Sequence, residues 1–119
     1  MIRQPQVVHL SSGRSFRGGE RQTLWLHQGL LAEGWGSLLV CRAGGGLAGA
    51  QESNVVPIPF RRVFKTVAEA KPDLIHCHDG RALAAGVSVS MLLGVPVLVT
   101  RRIVAPLRGN LLSRLKYRS

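Results

Sequence analysis

The 119-residue sequence predicts an α/β fold: a parallel sheet with helices on both faces. Short apolar runs alternate with stretches of helical periodicity along most of the chain. Glycines and prolines fall at the junctions, as in Gly34 and Gly94-Val95-Pro96. Asp73–Cys77 is uncharged after its first residue, which suits a strand buried on both faces. An alternating order of this kind implies parallel pairing within one domain.

The elements follow in chain order. Gln6–Leu10 is apolar and stops at Ser11-Ser12-Gly13, which makes it the first strand. Gly13–Gly19 is a glycine-bearing loop. A helix is expected over Glu20–Glu33, with Leu24, Leu26, Leu30 and Leu31 as its buried side and Gly34 as its stop. Ser37–Cys41 is the second strand, and Arg42–Asn54 reads as a loop rich in Gly and Ala. Val55–Pro59 carries two prolines, which an edge strand tolerates. Phe60, Val63, Phe64, Val67 and Ala68 have helical spacing, and that helix ends before Pro72. Asp73–Cys77 is a strand, Arg81–Leu93 an apolar helix and Val95–Val99 a strand. Leu107–Arg118 is a basic amphipathic helix, with Arg114 and Arg118 on one face and Leu111, Leu112 and Leu115 on the other.

Composition narrows the function. Sixteen Lys and Arg against six Asp and Glu give a formal charge of +10, and every charged residue beyond Asp79 is basic. That balance favours an anionic partner. Nucleic acid is not expected, because no helix-turn-helix or aromatic-interleaved basic motif is present. The uncharged stretch Ala82–Val99 is broken by Gly86, Gly94 and Pro96, so it reads as a buried helix plus a strand, not a membrane span. Cys41 and Cys77 have no CxxC spacing and read as buried thiols of a reducing compartment. Gly13–Gly18 has a Walker-like gap, but Gly19 and Glu20 stand where Lys and Ser or Thr belong, and no GxGxxG occurs.

In parallel sheets of this kind, ligands bind at the carboxyl ends of the strands. Three segments fall there: the Gly13–Glu20 loop, the His76–Gly80 turn and the Thr100–Arg102 turn. All three carry a resemblance. Phe16-Arg-Gly-Gly-Glu-Arg-Gln22 resembles the "RGGE" loop of retaining GT-B glycosyltransferases. Pro72-Asp-Leu-Ile-His-Cys-His-Asp79 is similar to that group's "PDxIHxHD" strand end. Leu98-Val-Thr-Arg-Arg102 resembles the next strand and the segment beyond it. The resemblance implies one Rossmann-like half of a GT-B fold over 1–119. It implies the amino-terminal, acceptor-side half, with the carboxy-terminal nucleotide-sugar half lying outside this chain as its intramolecular partner.

Substrate contacts are expected at Gly18, Gly19, Glu20, Arg101 and Arg102, and the catalytic positions are His78 and Asp79. Gly18 and Gly19 let a phosphate or hydroxyl approach backbone N–H groups at a helix start. Glu20 serves equally as a helix cap. His76 and His78 point the same way if the strand persists, and Asp79 can orient a histidine. His76 reads as a buried strand residue, and His9 and His27 as structural. Relatives place a histidine near Arg101 and Arg102; arginine there suits phosphate or carboxylate instead. A metal site is not expected, because HxHxDH needs Asp and His where Gly80 and Arg81 stand. Trp25 and Trp35 read as packing residues.

The resemblance implies sugar transfer from a nucleotide sugar to a glycan or lipid-linked acceptor, with retention and without a cofactor. The setting is cytoplasmic cell-envelope or lipopolysaccharide synthesis, with peripheral contact at an anionic membrane. The competing reading is a non-catalytic basic module that binds an anionic partner such as a membrane surface or a phosphorylated ligand.

Overall fold

The computed structural model describes residues 5–50 and 52–100. Its elements are β1 (Gln6–Ser11), α1 (Gly18–Ala32), β2 (Gly36–Arg42), β3 (Val55–Ile58), α2 (Val63–Ala70), β4 (Leu74–Cys77), α3 (Gly80–Leu93) and β5 (Val97–Val99). Short 3-10 turns occupy Gly46–Gly49 and Phe60–Arg62. The five strands form one sheet in the order β3-β2-β1-β4-β5, and every pairing is parallel. Arg101, Arg102 and the basic segment Leu107–Arg118 lie outside the described residues.

The two faces of the sheet differ in chemistry. Val8 and Leu10 of β1, Val40 of β2, and Ile75 and Cys77 of β4 point to one face. There they pack with Val63 and Val67 of α2 and Ala82 and Val89 of α3. The side-chain period of two sends the intervening residues to the opposite face. That face carries His9, Ser37 and His76, all buried, beside a small apolar cluster of Leu39, Cys41 and Leu47. The register sets His9 of β1 directly beside His76 of β4.

This polarity corrects the expected core face of α1. Thr23 and His27, not the leucines, are its fully buried residues. Leu24, Leu30 and Leu31 are half-buried, and Leu26 is exposed. A polar strand face calls for hydrogen-bonding side chains opposite it, and Thr23 and His27, four residues apart, lie on one side of the helix. Trp25 is 60% exposed and Trp35 is also exposed, so neither packs inside as the sequence suggests.

Helix ends follow local rules. Gly34, at φ 85°, closes α1. Trp35 N–H donates to Leu30 O and Gly34 N–H to Leu31 O, the paired bonds of a Schellman motif. Gly94, at φ 69°, ends α3. Gly86 is needed for a different reason. A Cβ there would lie 2.3 Å from Cys77 Sγ, so α3 sits on β4 only because residue 86 has no side chain. Both cysteines are buried free thiols. Burial raises Cys41 to about 11, and burial together with the charge of Asp79 raises Cys77 to about 12.

Two glycine substitutions in helices are therefore expected to act in opposite directions. Gly86→Ala destabilises by about 1–3 kcal/mol through overpacking against Cys77. Gly29→Ala in α1, where a Cβ meets nothing within 4 Å, stabilises by up to about 1 kcal/mol through helix propensity. Urea unfolding of the two variants checks this, and equal midpoints would contradict the packing argument.

Candidate functional site

The chain leaves β1 toward β2 and β3, then crosses back to β4 and β5. The direction therefore switches between β1 and β4, and a crevice forms outside the carboxyl ends of these two strands. The loop after β1 and the turn after β4 meet at this point. Asp79 joins them. Its Oδ2 accepts the Ser12 N–H at 2.7 Å, and its Oδ1 accepts the Ala82 N–H at 2.8 Å and the Ser12 hydroxyl. One carboxylate thus caps α3 and holds the end of β1.

Glu20 sits at the third residue of α1, and its Oε1 accepts the Arg17 N–H at 3.0 Å. This is the helix-capping role weighed from the sequence. The same carboxyl lies over Gly13, where a Cβ would stand 3.1 Å from Glu20 Cδ. Gly18, the first residue of α1, is exposed, and a Cβ on it would meet nothing within 4 Å. Packing therefore does not require glycine at 18. The opposite holds at Gly45 and Gly46. A Cβ at Gly45 would lie 2.5 Å from Gly13 O, and one at Gly46 2.3 Å from Ser15 C. The loop after β2 thus lies directly against the loop after β1.

Behind this rim lies a buried line of histidines. His27 Nε2 donates to Ser53 O at 2.8 Å. With neutral rings, that bond fixes every other one. His27 Nδ1 then accepts from the Ser37 hydroxyl at 2.6 Å, and Ser37 Oγ accepts from His9 Nε2–H at 3.1 Å. His9 Nδ1 is left as an acceptor, and His78 Nε2 donates to it at 3.0 Å. His76 Nε2 bonds Thr100 Oγ1. The rings of His76 and His78 have centroids 4.0 Å apart. Burial holds His9 well below the usual imidazole range, at about 3, with further lowering from charge on His76 and His27.

The expected site residues are thus partly gathered. Gly18, Gly19, Glu20 and Asp79 belong to the loop and turn at the switch point. His78 follows β4 there, but its ring is buried against His9. Sequence reasoning missed His9, Ser37 and His27 as partners of His78. The available signal was alternation: His9 and Ser11 interrupt the apolar residues of β1 at a period of two, and Ser37 and Leu39 take the same face of β2. It also passed over Arg14, Arg17, Arg42 and Arg81, which follow or end strands at this edge.

Similar architectures occur among solved structures. MurG of Acinetobacter baumannii matches with a TM-score of 0.70 at 18% identity, over 95% of this chain and 40% of that one. The fold is one half of a GT-B fold. An α-glucosyltransferase in complex with UDP and a 13-mer DNA containing a central A:G mismatch matches this GT-B half with a TM-score of 0.56 at 9% identity, over 83% of this chain and 30% of that one. An α-glucosyltransferase in complex with UDP gives 0.54 at 10%, over 80% and 28%. The GT-B half thus spans less than half the length of each. No family model matches the sequence, and no curated protein does either.

The buried His9 makes stability depend on pH. Its folded value, about 3, lies below the unfolded value of 6.5, so the unfolded chain binds the extra proton. This contribution is complete above pH 6.5 and is lost as pH falls toward 3, at up to about 1.4 kcal/mol per pH unit. His27, His76 and His78 face the same ring. Urea midpoints are expected to be flat from pH 6.5 to about 8, where neither His9 nor the buried thiols change charge in either state, and to fall steadily below pH 6.5. A midpoint unchanged down to pH 4 would contradict the geometry.

Proposed function

We propose that this chain is the amino-terminal, acceptor-binding half of a glycosyltransferase. The whole enzyme would transfer a sugar from a nucleotide-sugar donor to a glycan or lipid-linked acceptor, with retention of configuration. One observation carries the reading. Asp79, which ends the second motif-like segment, bonds Ser12, where the chain leaves β1 for the loop that holds the first, so two stretches far apart in sequence meet at the switch point. The likeness to GT-B structures supports it.

In this reading Gly18 and Gly19 admit the acceptor to the backbone N–H groups that open α1, where the helix dipole favours an anionic group. Glu20 shapes that opening from its capping position. His78 and Asp79 are the catalytic positions in this reading, and Asp79 also holds the end of β1 against the start of α3. The arginines at the same edge, with Arg101 and Arg102 beyond them, suit an acceptor bearing phosphate or carboxylate. The donor belongs to the second half, and closing the two halves places both substrates within reach of each other.

Amide spectra of the isotope-labelled chain test the acceptor reading. Water-soluble acceptor analogues bearing phosphate are expected to shift the amides of Ser12–Glu20 and His78–Gly80, and nucleotide sugars alone are not. Gly18→Val should keep the fold, because space is open there, and lose the shifts. Shifts confined to other regions, or none with any acceptor, would overturn the reading.

Peripheral contact with a membrane at the cytoplasmic face belongs to the same proposal. Among the described residues, no helix is long and apolar enough to cross a membrane. Lys and Arg beyond Asp79 would each contribute about 1 kcal/mol at an anionic surface. Co-sedimentation of the chain with vesicles is expected to require anionic lipid and to weaken as salt rises. Equal binding to neutral vesicles, or none to either, would remove this part of the proposal.

A further inference from the structure

We propose that His9, His76 and His78 form a binding site for a divalent first-row transition metal, with Zn²⁺ as the best-fitting ion. The proposal does not depend on the glycosyltransferase reading. One ring nitrogen from each of the three residues lies within 4.8 Å of the others, and all three side chains are buried. His9 Nδ1 and His78 Nε2 are 3.0 Å apart. Ligand nitrogens around tetrahedral zinc are about 3.3 Å apart at ordinary Zn–N lengths. That pair is already near its liganded separation, and the widest spacing needs to close by at most about 1.5 Å, a matter of ring rotation.

The donor chemistry agrees with the geometry. Three imidazoles without a nearby free carboxylate or thiolate suit zinc, copper or nickel, and not magnesium or calcium. The Asp79 oxygens bond Ser12 and Ala82. Cys77 points to the opposite, apolar face of the sheet. His9 has the outer partner typical of a metal-bound histidine: its Nε2–H donates to Ser37, which in turn bonds His27. That bond fixes the tautomer and leaves Nδ1 with its lone pair toward His78 and His76. A metal would take the place of the His78 Nε2 proton, which moves to Nδ1 of the same ring. Nothing else in the line has to reverse. Three protein ligands leave a fourth position for solvent or a ligand oxygen.

The site joins β1 to β4 at the switch point, so metal binding is expected to stabilise the fold as well as to register spectroscopically. The test uses the untagged 119-residue chain, freed of metal by a chelator and titrated with Co²⁺ at neutral pH. The expected result is one equivalent bound, visible ligand-field bands of low-symmetry four- or five-coordinate cobalt, displacement by Zn²⁺ and a raised melting temperature. His76→Gln and His78→Gln should abolish stoichiometric uptake. Ser37→Ala, which removes the outer partner of His9 and its bond to His27 but no ligand, should weaken it about 10- to 100-fold. Should a histidine variant fail to fold, X-ray absorption on the zinc-loaded unsubstituted chain decides, with three imidazole nitrogens expected in the shell. No uptake by the folded chain would overturn the proposal. So would sulfur in the metal shell, or uptake undiminished in both histidine variants.

Discussion

The structure depends on one constraint: the sheet face beneath α1 is dry but lined with polar groups. An unpartnered buried polar group costs about 1–3 kcal/mol. Among the described residues no buried side-chain nitrogen or oxygen lacks a partner. The line from Ser53 through His27, Ser37 and His9 to His78 meets most of this demand. It also ties α1, β2, β1 and the turn after β4 to one another. Apolar packing on the opposite face does not care which side chain meets which, within limits of volume. A hydrogen-bonded line does, because each donor needs its own acceptor. The register of β1 against β4 and the rotation of α1 are thereby specified.

The switch point shows the same logic on a smaller scale. Asp79 receives the backbone of two elements, one at the end of β1 and the other in the first turn of α3. A helix cap is ordinarily a local device. Here it reaches across to a residue 67 positions earlier, Ser12, and so joins the end of β1 to the turn after β4.

Much of the architecture was legible because the signals are local. Apolar runs marked β1, β2, β4 and β5, Gly34 and Gly94 marked helix ends, and the prolines of Val55–Pro59 marked an edge. The buried side of α1 was not legible. Its leucines outnumber Thr23 and His27, and only the chemistry of the strands beneath shows why the latter two turn inward. Residues close to each other in sequence, such as His76 and His78, could be weighed as a pair. His9 could not be joined to them, because that contact spans 69 positions and exists only through the parallel pairing of β1 with β4. The capping choice for Glu20 was legible, since the sequence sets this carboxylate in the first turn of its helix.

The contact between the two glycine-bearing loops has a mechanical consequence. Gly45 and Gly46 meet the backbone of Gly13 and Ser15 with no side chain between them. Side chains act as compliant spacers, because rotamer changes absorb small displacements before the main chain has to move. Main chain against main chain has no such slack. Pressing the 13–17 segment toward 44–46 therefore displaces that main chain directly, and the two loops hold each other's closest approach fixed.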